Sequence, residues 1–258
     1  MKIWHMNGAG NDFVVLDARG MALDFAALAK ALCARTGADG FMALDHSEIG
    51  DFRLHFYNSD GSRGEMCGNG SRCICRFAYE NGIAGEEMVI ETDAGPVPGR
   101  RLTETEYLVQ LNIPTVLDLN RKDGVAYVEL GCPGSPHAVV EMPSLFWDDK
   151  DALREQAKAL RFDPAFPKGA NVNFYTWLAP GYIRILTYER GVEDYTLACG
   201  TGTGSTAATL WAAGKLPGGK LVVKNPGGEL IAAVEAENGR IKRLLLQGPT
   251  EVTDIFEI

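Results

Sequence analysis

The stretches Cys67-Gly-Asn-Gly70 and Cys199-Gly-Thr-Gly202 are two copies of one Cys-Gly-x-Gly pattern, 132 residues apart. The first copy opens a segment that ends at Gly82 and the second opens one that ends at Gly214, each 15 residues beyond its cysteine. Self-similarity at a fixed spacing is typical of a repeated supersecondary unit. The sequence therefore predicts two homologous domains, each of which brings one cysteine to the start of a helix.

Further features extend this repeat. The residues that read as helical are Arg72 to Glu80 in the first copy and Ser205 to Ala213 in the second. Gly95 and Gly227 each stand in a turn, 13 residues past the closing glycine of their copy, and each follows a short apolar segment that reads as a strand. Helix, strand and turn thus recur in the same order in both halves.

The repeat and the strand pattern together predict the fold class. Many short strand-like segments with few helical ones favour an α+β protein over a regular alternation of strand and helix. We place the domain boundary near Pro114. Residues 1–113 then form the first domain and residues 114–248 the second, with residues 249–258 returning to the first.

The composition of the chain limits the classes of partner that it can bind. The chain has 258 residues, 46% of them hydrophobic, and a formal net charge of −9. This acidic balance argues against nucleic acid or an anionic membrane as a partner, because both carry negative charge themselves. The N-terminus shows no basic segment followed by an apolar one, and no apolar run is long enough to span a bilayer. We therefore expect a cytosolic protein.

The position of the two repeated cysteines suggests their chemistry. Glycines let backbone N–H groups approach a bound group closely, and a helix N-terminus carries partial positive charge that favours a thiolate or a bound carboxylate. Inversion of a carbon centre needs one group to remove a proton from one face and another to deliver a proton to the opposite face. Cys67 and Cys199 therefore form a candidate acid–base pair.

Other interpretations of the cysteines remain open. A lone Cys-Gly-x-Gly is more often a small buried residue in a glycine-rich turn, and the repeat is what favours function. The remaining cysteines are expected to be ordinary structural thiols without a catalytic role; they are Cys33, Cys73, Cys75 and Cys132. The sequence contains no CxxC pair, so we expect no structural zinc. A non-enzymatic thiol redox or metal-binding protein is the alternative from a different class.

Eight segments in family order, spread over nearly the whole chain, closely resemble the diaminopimelate epimerases. They are His5-Met-Asn-Gly-Ala-Gly-Asn-Asp-Phe-Val-Val15, Tyr57-Asn-Ser-Asp-Gly-Ser62, Cys67-Gly-Asn-Gly-Ser-Arg72, Pro136-His137, Asn171-Val-Asn-Phe174, Tyr188-Glu-Arg-Gly191, Ala198-Cys-Gly-Thr-Gly202 and Pro226-Gly-Gly228. Each segment alone is a weak signal, but the ordered set is highly specific.

This resemblance implies two similar domains, each a central helix wrapped by an antiparallel sheet, with the substrate in the cleft between them. It implies that the chain interconverts LL- and meso-2,6-diaminoheptanedioate in lysine and cell-wall biosynthesis. It further implies that the partner is the small amino-acid substrate, that no pyridoxal phosphate, other cofactor or metal takes part, and that the chain forms a homodimer.

The resemblance also implies roles for particular residues. Cys67 and Cys199 match the catalytic cysteines. The backbone segments that hold the carboxylate and amine of the reacting end are Gly68-Asn69 and Gly200-Thr201. The substrate-binding side chains are Asn11, Asn58, Asn171, Glu189 and Arg190. Arg190 is expected to bind the distal carboxylate and Glu189 the ammonium of the reacting centre. His137 is expected close to the thiols.

Each of these residues also has a structural interpretation. Asn11 and Asn58 stand in turn-prone sequence and could cap turns. Asn171 and the pair Glu189-Arg190 could belong to a solvated strand end. For His137 a satisfied buried histidine and a supporting role are equally good interpretations.

One departure from the family pattern bears on the substrate. Family members usually have Gly-Asn-Pro-His where this chain has Gly134-Ser-Pro-His137. Ser135 is shorter than the asparagine it replaces, which touches the distal end of the substrate. A related racemase of another amino acid, such as histidine, is therefore the alternative within the same scaffold.

Overall fold

The computed structural model of the chain describes residues 1–64, 66–132 and 134–258. They form two compact units. One unit is Met1–Gln110 together with Gln247–Ile258, and the other is Leu111–Leu246. The boundary predicted from the sequence, near Pro114, lies a few residues beyond the limit of the first unit, and the homology of the two units stays a prediction.

The described residues of the first unit form eight strands and two helices before the chain passes to the second. They are β1 (Lys2–Gly8), β2 (Asn11–Asp17), α1 (Phe25–Thr36), β3 (Gly40–Asp45), β4 (Phe52–Asn58), β5 (Arg63–Gly64), α2 (Gly68–Glu80), β6 (Glu87–Thr92), β7 (Gly95–Arg101) and β8 (Glu106–Leu111). α1 is capped by Asp24, whose side chain accepts the N–H of Ala27 at 3.0 Å. It ends at Gly37, whose φ of 77° is readily adopted by glycine.

After one additional strand, β9, the second unit repeats this order of strands and α-helices. Its elements are β9 (Pro114–Lys122), β10 (Val125–Leu130), β11 (Ser135–Glu141), a short 3-10 turn (Trp147–Asp149), α3 (Lys150–Arg161), β12 (Asn171–Ala179), β13 (Tyr182–Glu189), β14 (Asp194–Thr196), α4 (Gly200–Ala212), β15 (Lys220–Asn225), β16 (Gly228–Glu237) and β17 (Arg240–Pro249). The last strand, β18 (Glu251–Glu257), returns to the first unit and pairs antiparallel with β1.

The strands of the two units pair in the same sequence. In the first unit β1–β2, β3–β4 and β6–β7 are antiparallel, whereas β2–β3 and β4–β6 are parallel. In the second unit β10–β11, β12–β13 and β15–β16 are antiparallel, whereas β11–β12 and β13–β15 are parallel. Parallel neighbours need a crossover, which a helix provides in each case. The predicted α+β class is confirmed, with two parallel pairings added to the antiparallel sheet of each unit.

α2 and α4 are the central helices of their units. In each of them ten of the thirteen residues are buried. α2 packs on β1, β2, β3, β6 and β7, and α4 packs on β9 to β12, β15 and β16. The strands of each unit therefore surround the central helix of that unit.

α2 and α4 each begin after a cysteine that caps the first turn, and each ends before a glycine with positive φ. Both helices begin four or five residues before the predicted starts, because glycine in a first turn costs little when a side chain caps the turn. Gly82 and Gly214 end the two segments with φ values of 67° and 71°. The next residue in each copy donates its N–H back to a carbonyl of the last helical turn, which completes a Schellman motif.

The second repeated spacing differs from the prediction by one residue. Gly95 opens β7 with φ of 106°, and its counterpart at the start of β16 is Gly228, with φ of 146°. The prediction that Gly227 matches Gly95 is therefore wrong by one position. The extra residue of the second copy lies in the loop between Gly214 and β15.

Among the described residues, we find no helix with the length and apolar character required to cross a membrane.

Candidate active site

Cys67 is the N-cap of α2. Its backbone is extended, with φ of −125° and ψ of 121°, and Sγ accepts the N–H of Gly70 at 3.5 Å. The thiol is half-buried, and the following Gly68 is the first residue of a helix whose N-terminus carries partial positive charge. Cys67 thus lies where a thiolate is electrostatically favoured.

Cys199 caps α4 with nearly the same geometry. Its φ of −116° and ψ of 112° repeat those of Cys67, and Sγ accepts the N–H of Gly202 at 3.3 Å. The hydroxyl of Thr201 lies 3.4 Å from this sulfur. Burial raises the pKa of the Cys199 thiol well above its usual value, and the neighbouring carboxylate of Glu189 raises it further. Cys199 is therefore held as a neutral thiol.

A chain of side chains links the start of α2 to the β1–β2 turn. Asn69, in the first turn of α2, donates to Oδ1 of Asn11 at 2.6 Å. Asn11 in turn donates to Asp39 at 3.4 Å, and Asp39 also accepts the N–H of Asp12 at 3.0 Å. The structure thus brings Asn11 and Asn69 together and orients the amide of Asn11.

Asn58 lies at the exposed end of β4. Its side chain donates to the hydroxyl of Ser62 at 2.9 Å, and its backbone N–H donates to the carbonyl of the same residue at 2.8 Å. Asn58 therefore stabilises the turn after β4, as its structural interpretation predicts, while its exposed amide stays accessible.

Three predicted binding residues meet where β12 begins and β13 ends. Asn171 donates to the carbonyl of Pro136 at 3.0 Å and accepts the N–H of Arg190 at 2.8 Å. Arg190 is exposed, and its Nη1 donates to the carbonyl of Lys168 at 3.0 Å. Glu189 accepts the hydroxyl of Thr196 at 2.7 Å. These contacts fix the amide, the guanidinium and the carboxylate on one strand end.

His137 belongs to a buried polar network behind α4. Its Nδ1 accepts from Asn173 at 3.1 Å, which leaves Nε2 to donate to the hydroxyl of Ser135, 3.2 Å away. Asn173 also donates to the carbonyl of Ala138 and accepts from Thr187. Burial, aided by the charge of Arg190, lowers the pKa of His137 to about 3, so that the imidazole is neutral.

Many of the predicted site residues occupy the same places in the two units. We call two residues matched positions when the strand registers, or the spacing of α2 and α4, give them the same place in their units. Phe13 pairs with Gly40 as His137 pairs with Asn171, and Met42 pairs with Phe56 as Asn173 pairs with Thr187. The matched positions that include at least one candidate are Asn11 and Ser135, Asn58 and Glu189, Gly40 and Asn171, Cys67 and Cys199, Gly68 and Gly200, and Asn69 and Thr201.

Sequence reasoning missed the supporting residues Asn173, Thr187 and Asp39, and it gave no role to Arg72. Asn173 alone carried a usable signal, because a polar amide inside the apolar stretch of β12 needs hydrogen-bond partners. Asp39 and Thr187 come from other elements, and their contacts depend on the folded chain. All six cysteines are free thiols. Within residues 1–64, 66–132 and 134–258, no three His, Cys, Asp or Glu side chains are grouped to hold a metal ion.

Comparisons with known proteins agree with this arrangement. A family model of diaminopimelate epimerase matches residues 3–111 and 132–251. The diaminopimelate epimerase of Chlorobaculum tepidum is 37% identical over 95% of this chain and 96% of its own. That of Flavobacterium psychrophilum is 35% identical over 100% of this chain and 99% of its own. A phenazine biosynthesis protein of the PhzF family from Bacillus anthracis shares the fold, with a TM-score of 0.75 at 15% identity over 100% of this chain and 98% of that one. The chain belongs to the diaminopimelate epimerase family.

Proposed function

We propose that this chain interconverts LL- and meso-2,6-diaminoheptanedioate without a cofactor, using Cys67 and Cys199 as base and acid. One observation carries the proposal: two buried helices at matched positions are each capped by a cysteine whose sulfur accepts an N–H of the first helical turn. A two-base inversion requires two such groups, one at each face of the α-carbon. The substrate is the one named for the family's members.

The chemical step moves one proton off and one proton on. A thiolate removes the α-proton, the C–H electron pair passes into the α-carboxylate, and the first sulfur becomes a thiol. The second cysteine, present as a thiol, gives its proton to the opposite face of the carbon and becomes a thiolate. The configuration is inverted, and the two sulfurs have exchanged protonation states. In the reverse direction they exchange roles.

The negative charge that develops on the α-carboxylate needs stabilisation at that moment. The helix N-termini at Gly68-Asn69 and Gly200-Thr201 are suited to this, because first-turn N–H groups point out of the helix and the helix dipole favours an anion. These groups are already fixed by the buried helices, so little reorganisation is needed during the reaction. The structure supports this role through the burial of both helices.

The remaining candidates suit the substrate's other groups. The guanidinium of Arg190 can bind the distal carboxylate through paired N–H groups. The carboxylate of Glu189, next to Cys199, can bind the ammonium of the reacting centre. The amides of Asn11, Asn58 and Asn171 can orient the bound amino acid. Asn11 and Asn171 are supported by hydrogen bonds that hold their side chains in place.

One observation favours a second candidate, a racemase of another amino acid. Ser135, where family members usually carry asparagine, lies 3.2 Å from Nε2 of His137. Its hydroxyl is therefore engaged inside the protein and reaches less far than an amide. The distal end of the substrate then depends more heavily on Arg190.

Proton exchange in deuterated water tests both candidates. We expect the purified protein to place deuterium on the α-carbon of LL- and meso-2,6-diaminoheptanedioate and to convert each into the other. Absence of exchange with both isomers, together with exchange of histidine or another amino acid, would establish the second candidate. Absence of exchange with every amino acid tested would contradict the enzymatic proposal as a whole.

We also propose that the protein is a cytosolic homodimer. The family resemblance supports the dimer. Light scattering during gel filtration measures the assembly directly, and a monomer mass at micromolar concentration would contradict it.

A further inference from the structure

Arg72 is a buried cation on α2. Its side chain is 0% exposed, and Nη1 donates to the carbonyl of Gly68 at 3.2 Å. Because helical side chains lean toward the N-terminus, the guanidinium lies along the first turn of the helix. Among the described residues, Nε and Nη2 have no hydrogen-bond partner. An arginine keeps its proton, and a buried charge without compensation is costly. The burial of Arg72 therefore calls for a negative partner.

Burial lowers the pKa of Arg72, and among the described residues the groups whose charge opposes this shift are thiols. They belong to Cys73, Cys67 and Cys75. Cys73 and Cys75 are fully buried, and burial raises the pKa of Cys73 to about 12 and that of Cys75 beyond it. Cys67 is half-buried and caps the helix. Of the three sulfurs, Cys67 is thus the one placed to carry a negative charge beside Arg72.

Two further ionisable groups act on this cluster through Cys73. Asp12 on β2 opposes ionisation of that thiol, and Arg76, one turn further along α2, favours it. Their effects on Cys73 have opposite signs and are smaller than the effect of its burial. Arg76 is itself a cation, and Asp12 is not among the groups that act on the charge of Arg72. Neither residue therefore supplies the negative partner of the buried guanidinium.

The second unit has the opposite arrangement. The matched position of Arg72 on α4 is Gly204, where an added Cβ would lie 2.6 Å from Cδ1 of Leu111, so the packing leaves no room for a cation. Cys199 instead faces the carboxylate of Glu189, which raises its pKa. One repeated thiol therefore lies near a buried positive charge and the other near a negative one.

We propose that Arg72 is a positioning residue that holds Cys67 as the thiolate of the free protein, while Cys199 rests as the thiol. Cys67 is then the base of the first turnover and Cys199 the acid. The catalytic meaning of this assignment rests on the proposed function. The resting ionisation itself does not depend on substrate, so it can fail or succeed separately.

Alkylation of each cysteine by iodoacetamide as a function of pH, read by peptide mass spectrometry, measures the ionisation directly, because only the thiolate reacts. In the unmodified chain we expect half-maximal reactivity of Cys67 at least one pH unit below that of Cys199. Equal midpoints, or a lower midpoint for Cys199, would overturn the proposal without any variant.

Substitution separates charge from packing. Arg72→Met should raise the Cys67 midpoint by at least one pH unit, a tenfold loss of thiolate at a given pH below the midpoint, and leave that of Cys199 in place. Arg72→Lys should restore much of the wild-type midpoint. The matched control is Phe77→Leu on the same helix, whose ring packs on Trp4. It should lower stability but leave the Cys67 midpoint unchanged. An unchanged midpoint in folded Arg72→Met, or a shift in Phe77→Leu as large as in Arg72→Met, would overturn the proposal.

Discussion

The two units support their capped helices with different chemistry. At three matched positions on the strands packed against the helices, the first unit has apolar side chains, whereas the second unit has polar, hydrogen-bonded ones. The matched pairs are Phe13 and His137, Met42 and Asn173, and Phe56 and Thr187. The same backbone arrangement therefore accepts either apolar or polar side chains beneath the helix, provided that each buried polar group has a hydrogen-bond partner.

The difference lies close to the reactive sulfurs. An added Cβ at Gly70 would meet Sδ of Met42 at 3.0 Å, whereas one at Gly202 would meet Oδ1 of Asn173 at 2.3 Å. The polar network thus fills the space beneath the N-terminus of α4 more tightly than the apolar cluster fills that beneath α2. The two units carry thiols at matched positions, and the different residues behind these thiols make their surroundings unequal.

Removal of either thiol is the largest expected effect. Cys67→Ala and Cys199→Ala should each lower the rate of epimerisation between about 10²- and 10⁴-fold, the usual contribution of a positioned acid or base. The assay is conversion of LL- to meso-2,6-diaminoheptanedioate with purified protein. The control is Cys33→Ala, a buried thiol of α1 outside the site, which should retain nearly wild-type turnover. If either active-site alanine variant keeps normal turnover, the two-thiol mechanism is wrong.

An alanine at the matched glycines tests the unequal support beneath the helices. Gly202→Ala should lower the free energy of unfolding by about 1–3 kcal/mol, since the methyl group displaces the buried amide of Asn173 from its hydrogen bonds. Gly70→Ala should cost less than about 1 kcal/mol, because the flexible thioether of Met42 can move aside. Urea unfolding of both variants measures the difference. Equal losses would show that the two supports are equally adaptable.

Much of the fold could be predicted from the sequence because the spacing of cysteines and glycines is the same in both copies of the repeat. The Cys-to-Gly spacing located both central helices, and the α+β class and the diaminopimelate epimerase family are confirmed. The parallel pairings were not predicted, since short apolar segments do not reveal which strand lies beside which. Gly227 was matched to Gly95 for a similar reason, because a one-residue insertion in a loop leaves no mark on composition.

The candidate site could be predicted only in part. The cysteines and the first residues of α2 and α4 follow from the motif itself, and their roles stay predictions. Arg72 and Thr187 could not be assigned from the sequence, because their importance lies in what surrounds them after folding. An arginine in a helix is ordinarily exposed, and the complete burial of Arg72 appears only in the folded structure.

The smallest expected effect is a pH dependence of stability that comes from the neutral His137, which packs behind α4. The first unit has Phe13 at the matched position, and a phenylalanine does not titrate. Burial lowers the pKa of His137 from 6.5 to about 3. Between these values the unfolded chain binds a proton that the folded chain does not, so stability falls as the pH falls, by up to about 1.4 kcal/mol per pH unit. His137→Phe, which installs the residue of the first unit, should make the loss between pH 6 and pH 5 smaller by about 1 kcal/mol in urea unfolding. A variant whose stability falls as steeply as that of the wild type would show that His137 is already protonated in the folded protein, and the polar support of α4 would then be charged rather than neutral.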